Sequence, residues 1–240
     1  MITDAFQRRL TPFGLKVFGA VALAADEIAT LPDVATEPVA ILVGNAGPAM
    51  WKVLSQDLGG DGNVVAHAHP MNTWTRRIIE KVCHDVASDM PQTTASKPIQ
   101  VVFPFDGPPY YPFQKWAIRT GQFFPSPIGP LVHSEFGLWA GFRAAIICAR
   151  EVIDQVSVGS DGSPCDSCAE KPCLSTCPVD AFRPDGYDVP TCTTFLRTAE
   201  STACMTGGCL ARRACPIGDT YKQTQAQSQF HINKFLAANG

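Results

Sequence analysis

In the first 155 residues, stretches that read as strands alternate with stretches that read as helices. Residues 15–23 (LKVFGAVAL) read as a strand, preceded by a short polar helix around residues 4–9. Residues 39–43 form a continuous apolar run, the pattern of a buried strand. Asn45-Ala46-Gly47-Pro48 then opens a helix through about Leu58, because proline suits a first turn whose missing N–H would be unpaired anyway. Pro70 starts a second long helix reaching about Ala87. Residues 99–105 predict a third strand and residues 111–120 a further helix. Residues 131–133 and 138–149 are expected to be strands paired with each other through a turn near Phe136-Gly137. Such alternation argues for an α/β or α+β layered architecture. Beyond it, residues 156–164 (VSVGSDGSP) read as a linker, so two domains are expected, 1–155 and 156–240. Residues 230–238 carry Ile232, Phe235 and Leu236 and predict either a short docking helix or a frayed end.

Composition narrows the function classes. No apolar run approaches the roughly 20 residues that span a bilayer, and residues 1–10 lack the basic-then-apolar order of a secretory signal. A soluble, cytoplasmic protein without a membrane partner is expected. The net charge is −3, and Lys and Arg gather in nothing longer than the pairs Arg8-Arg9, Arg76-Arg77 and Arg212-Arg213. Phosphate neutralisation supplies most of the affinity for nucleic acid, so this scatter argues against that partner. No dinucleotide, Walker or nucleophile-elbow glycine motif is present.

The cysteines carry the chemistry. Two of the 10, Cys83 and Cys148, are isolated in apolar surroundings and read as small core residues. The other eight lie between Cys165 and Cys215, in the order Cys165-x2-Cys168-x4-Cys173-x3-Cys177-Pro178, then Cys192, then Cys204-x4-Cys209-x5-Cys215-Pro216. Short spacings let one loop wrap three corners of a cubane, and in two-cluster ferredoxins the cysteine of each Cys-Pro pair crosses to the other cluster. That crossing predicts one [4Fe–4S] set of Cys165, Cys168, Cys173 and Cys215 and a second of Cys177, Cys192, Cys204 and Cys209. The x4 spacing where the bacterial pattern has x2 makes the first loop looser. Two alternatives stay open: a pair of structural Cys₄ zinc sites, and a single cluster with spare thiols.

With these motifs in order, the chain resembles the superfamily of cobalamin-dependent reductases and cobalamin-processing proteins with a nitroreductase-like core. One branch is epoxyqueuosine reductase, which joins such a core to a dicluster ferredoxin module. Cys192 followed by Cys204, Cys209 and Cys215 is similar to its cysteine order, and the segment from Asp106 to Trp139 to its proline-helix-strand segment. The other branch is the chaperone that removes the upper ligand of incoming cobalamins. Residues 133–143 (HSEFGLWAGFR) resemble its His-x-x-Phe-Gly-x-Trp-x-x-x-Arg segment, and residues 39–43 with Pro48-Ala49-Met50-Trp51 resemble its strand followed by Pro-Ala-Met-aromatic. Epoxyqueuosine reductases carry a helical-repeat region for tRNA after the clusters, whereas this chain ends at Gly240. The chaperones lack the ferredoxin module.

The resemblance implies an α+β fold, a nitroreductase-like sandwich followed by a small ferredoxin-like [4Fe–4S] domain. It also implies two [4Fe–4S] clusters and cobalamin as cofactors, a corrinoid partner, and an unidentified low-potential electron donor. Trp139 and Arg143, expected on one face of one strand, and Tyr110 would then contact the corrinoid. Arg143 is expected to find an anionic partner, either on the ligand or in a carboxylate such as Glu135 or Glu151. Asp106 matches a proton donor of epoxyqueuosine reductase. Corrinoid reduction or upper-ligand removal is the leading expectation; reduction of another organic substrate and plain electron carriage are its rivals.

Overall fold

The computed structural model describes residues 2–31, 37–90, 99–153, 155–157 and 162–239. The chain forms two compact units: residues 1–122 with 141–161, and residues 123–140 with 162–240. A single cut near residue 155 therefore misses the excursion of residues 123–140 into the cysteine-rich unit. Residues 158–161 of the expected linker lie outside the described residues.

The first unit is built on a four-stranded sheet of order β1-β2-β6-β3, comprising Leu15–Ala22, Pro38–Ala46, Ala140–Ala149 and Gln100–Val102. All nine residues of β2 are buried, as a strand covered on both faces requires. β1 pairs antiparallel with it, Leu15 opposite Asn45 and Val17 opposite Val43, and the register then shifts so that Ala20 faces Ile41. Gly19 occupies the shift at φ +112°, where a Cβ would lie 2.4 Å from Ser157 Oγ. Ser157 closes this bulge, its Oγ accepting from Ala20 N at 3.1 Å and its N–H donating to Ala20 O at 2.8 Å.

The helix Pro70–Ser88 follows the expected span closely and buries Met71, Trp74, Ile78, Ile79, Val82, Cys83 and Val86. Those positions recur at three and four residues, the stripe of a helix with one face on a core. Helices Ile2–Leu10, Ala49–Asp57 and Phe113–Arg119 also fall where the pattern predicts them. The strand expected over 99–105 is shorter, because Asp106 N–H bonds to Phe103 O and turns the chain after Val102.

The second unit holds little regular structure. β4 (Phe123–Phe124) pairs antiparallel with β5 (Val132–His133), and β7 (Phe182–Arg183) with β8 (Gly186–Tyr187). Short helices follow at Pro172–Ser175, Val189–Leu196, Thr202–Gly207 and Leu210–Arg213, then a longer one at Gln225–Ala238 capped by Thr224. The expected pairing of 131–133 with 138–149 does not form. Nδ1 of His133 accepts from the N–H groups of Glu135 and Phe136, and its ring stacks on Phe136 at 4.3 Å. That tight turn returns the backbone for one bridge only, His133 to Gly137. The strand Ala140–Ala149 then joins the first unit's sheet between β2 and β3.

Candidate functional site

All ten cysteines are free thiols. Cys83 and Cys148 are buried in the first unit, and burial pushes both thiols up to about 12. They stay protonated and apolar in character, as isolated core thiols do.

The other eight lie in the second unit, and six of them are placed by a local device. Cys173 lies in the turn of helix Pro172–Ser175, entered through Lys171 at φ 38°. After Cys177-Pro178 the chain doubles back, and Ala181 N–H points at Cys177 Sγ, 3.4 Å away. Cys192 rides on helix Val189–Leu196, whose cap Asp188 accepts from Thr191 N at 2.9 Å and pairs with Arg183 at 3.1 Å. Cys209 is the N-cap residue of Leu210–Arg213, and the nearby backbone N–H groups of Ala211 and Arg212 favour its thiolate. The nearby N–H groups of Leu210 and Ile217 favour the thiolates of Cys204 and Cys215 in the same manner. Gly137 keeps this loop in place: a Cβ there would lie 1.9 Å from Ile217 O, two residues past Cys215.

Burial is the first cause that raises Cys173, Cys192, Cys204, Cys209 and Cys215, and repulsion between neighbouring thiolates adds to it. The repulsions sort the cysteines. Cys173 and Cys215 are each opposed by Cys165 and Cys168. Cys192 and Cys204 are opposed by Cys177, and Cys209 by Cys204 and Cys192. For these five thiols the opposing charges come from within the expected quartet, while Cys165, Cys173, Cys177, Cys209 and Cys215, drawn from both quartets, pack against one apolar cluster. Among the described residues, no three His, Cys, Asp or Glu side chains converge tightly enough to hold a single metal ion.

The second quartet lines a cavity of about 410 Å³ together with Trp139, Tyr187, Arg212 and Phe235. The Tyr187 hydroxyl donates to the Cys192 sulfur. Trp139 is buried, and its Nε1 has no hydrogen-bond partner among the described residues. It belongs to a turn, its N–H bonded to Phe136 O, so the strand that carries Arg143 begins only after it. The expectation that both project from one face of one strand is corrected accordingly. Arg143 meets no carboxylate among the described residues; its Nε donates to Asn45 Oδ1 at 2.7 Å, and burial alone draws its pKa down to about 10. An amide dipole thus takes the place of the expected anion.

Asp106 and Tyr110 come together at a separate cavity of about 460 Å³ in the first unit, shared with Asp26, Glu27, Tyr111 and Lys115. Arg76 pairs with the Asp106 carboxylate and lies over the rings of Phe103 and Phe105, at 4.2 and 5.2 Å. Sequence reasoning passed over Tyr187 and Arg212. Arg212 had a usable signal, a cation lying between two ligand-type cysteines, Cys209 and Cys215; Tyr187 had none.

No helix among the described residues is long and apolar enough to cross a membrane. No family model matches the chain, and no curated protein matches it. Among solved structures it is similar to a crystal structure of a B12-trafficking protein, CblC of C. elegans, described as a human MMACHC homologue. The likeness covers 99% of this chain and 92% of that one, at 12% identity and a TM-score of 0.56. At that identity it shows the fold: a mixed α/β architecture with antiparallel pairing, of the CblC type.

Proposed function

We propose that this chain is a cytoplasmic iron–sulfur protein that binds a corrinoid and reduces its cobalt, with removal of the upper ligand as the outcome. The observation that carries the reading is that eight cysteines gather in the second unit, and that the thiol charges acting on five of them come from within the expected quartets. The CblC-type fold supports the corrinoid half, since the protein that shares it is a B12-trafficking protein.

The donor set fits clusters. Thiolates on one zinc, with bonds of about 2.3 Å, lie roughly 3.8 Å from each other, and a cubane spreads four thiolates over four irons. Thiols that act on one another electrostatically across such a spread suit the wider arrangement. Cys165, Cys168, Cys173 and Cys215 would hold one [4Fe–4S] cluster, and Cys177, Cys192, Cys204 and Cys209 the other. When bound, such clusters supply one-electron transfer, and a low-potential donor outside the chain replenishes it. The N–H groups of Ala181, Leu210, Ala211, Arg212 and Ile217 stabilise sulfur charge and set its availability. Arg143 and Tyr110, both in the first unit, are assigned to the corrinoid, and Asp106, anchored by Arg76, to proton handling beside Tyr110.

Anaerobic purification followed by metal analysis and cobalamin titration tests both halves. About eight irons per chain and a broad band near about 400 nm that bleaches on reduction are expected. The cobalamin spectrum should then shift on mixing. Zinc in place of iron would overturn the cluster half; full iron with an unchanged cobalamin spectrum would overturn the corrinoid half.

A further inference from the structure

We propose that Arg212 is the fixed counter-charge of the second quartet, and that it makes a cluster on Cys177, Cys192, Cys204 and Cys209 easier to reduce than its neighbour. This rests on the cluster reading above and goes beyond it by ranking the two centres.

Arg212 lies three residues after Cys209, on the short helix that Cys209 caps. Its Nε and Nη2 both donate to Leu138 O, at 2.9 and 2.6 Å, and the guanidinium lies over the Trp139 ring at 4.5 Å. Those contacts pin the cation to the wall of the cavity that all four thiols of the second quartet line. The carbonyl and the indole fix its position, but neither carries a negative charge. Among the described residues no carboxylate pairs with it. Burial draws its pKa down to about 10, and the opposing influence is the Cys209 thiolate. Its neighbour Arg213 turns elsewhere, donating to Gly207 O at 3.0 Å.

A partly buried cation without an anion is costly, because desolvation is not offset. A cubane with four thiolates is an anion, and one added electron makes it more negative. A guanidinium fixed at the cavity wall therefore favours the reduced state of whatever anion the quartet holds. On Cys173 and Cys215 of the first quartet, the charges that act are those of other thiols, with no cation among them. Arg212 is thus a positioning residue that directs where an incoming electron comes to rest.

A redox titration followed by electron paramagnetic resonance tests this on the full-length, iron-loaded protein. The parent should show two separable one-electron steps. In Arg212→Gln the upper step should move to lower potential while the lower step and the iron content stay put. Arg212→Lys, which keeps the charge without the fork, should leave the upper step close to its parent position. Two steps unmoved in a fully loaded Arg212→Gln protein, or movement of the lower step alone, would overturn the assignment. Should Arg212→Gln fail to hold iron, Arg212→Lys decides: an upper step that falls to the lower one overturns it, and one that stays supports it. A parent protein without iron sinks the cluster reading itself, a failure distinct from these.

Discussion

The two units solve the same folding problem with different materials. The first buries a sheet: β2 is covered on both faces, and Leu42, Ile41 and Ile79 are fully enclosed. The second has strands of only two residues and helices mostly of four to eight. Its small apolar cluster of Ile128, Val132, Leu138 and Ala211 is completed by Cys165, Cys173, Cys177, Cys209 and Cys215. Cysteine thus has opposite roles in the two units. In the first, a lone thiol fills space; in the second, thiols replace the hydrophobic residues that a core would otherwise need. A unit with so little apolar core resembles small domains that depend on a metal for stability.

The largest expected effect follows from that difference. On the proposed cluster reading, stripping iron with a chelator should loosen the second unit and spare the first, because ligand binding to a site absent from the unfolded chain is itself folding free energy. Limited proteolysis with mass mapping should show cuts within residues 162–239 accelerating roughly tenfold or more, while residues 37–90 stay protected. Uniform loss of protection across both units would break the comparison.

The converse perturbation is smaller. Leu42→Ala removes a fully buried side chain from the central strand of the first unit. It should cost roughly 3 kcal/mol there, from lost transfer energy and a residual cavity. Chemical denaturation followed by tryptophan emission would read the loss, and iron content per folded chain should not change. Iron loss alongside the stability loss would show that the second unit depends on the first unit's core.

What was legible in the sequence divides along the same line. β2 announced itself because a strand covered on both faces must be continuously apolar, and the Pro70–Ser88 helix because one face meets a core. The second unit carries no such periodicity, since its packing partners are thiols and turn backbones. Its information lies in cysteine spacing, from which the two expected quartets are drawn. Residues 123–140 were misassigned because a two-residue ladder leaves no alternation to read, and the turn at His133 depends on an imidazole accepting two backbone N–H groups. The partner of Arg143 was hidden for another reason: Asn45 lies 98 residues away in sequence, and local patterning cannot announce a contact across a sheet.

The smallest expected effect compares two cations that meet no carboxylate among the described residues, one from each unit. Arg143 is held by the buried Asn45 amide, Arg212 by a carbonyl and an indole. Arg143→Gln keeps a hydrogen-bond donor for Asn45 and removes the charge. Its stability should fall within about 1 kcal/mol of the parent and on the favourable side, because a neutral side chain escapes the desolvation that burdens the guanidinium. Linkage fixes the sign with pH. The folded value is near 10 and the unperturbed guanidinium lies above it, so between them the unfolded chain holds a proton that the folded chain has lost. The charge penalty is complete below about pH 10 and lifts as the pH rises through it, so the advantage of the variant should shrink from about pH 7 to about pH 10.5. Melting temperatures of both proteins across that range measure it. Cobalamin titration of the same pair then separates structure from function: unchanged stability with weakened binding assigns Arg143 to the ligand, and unchanged binding confines it to the sheet.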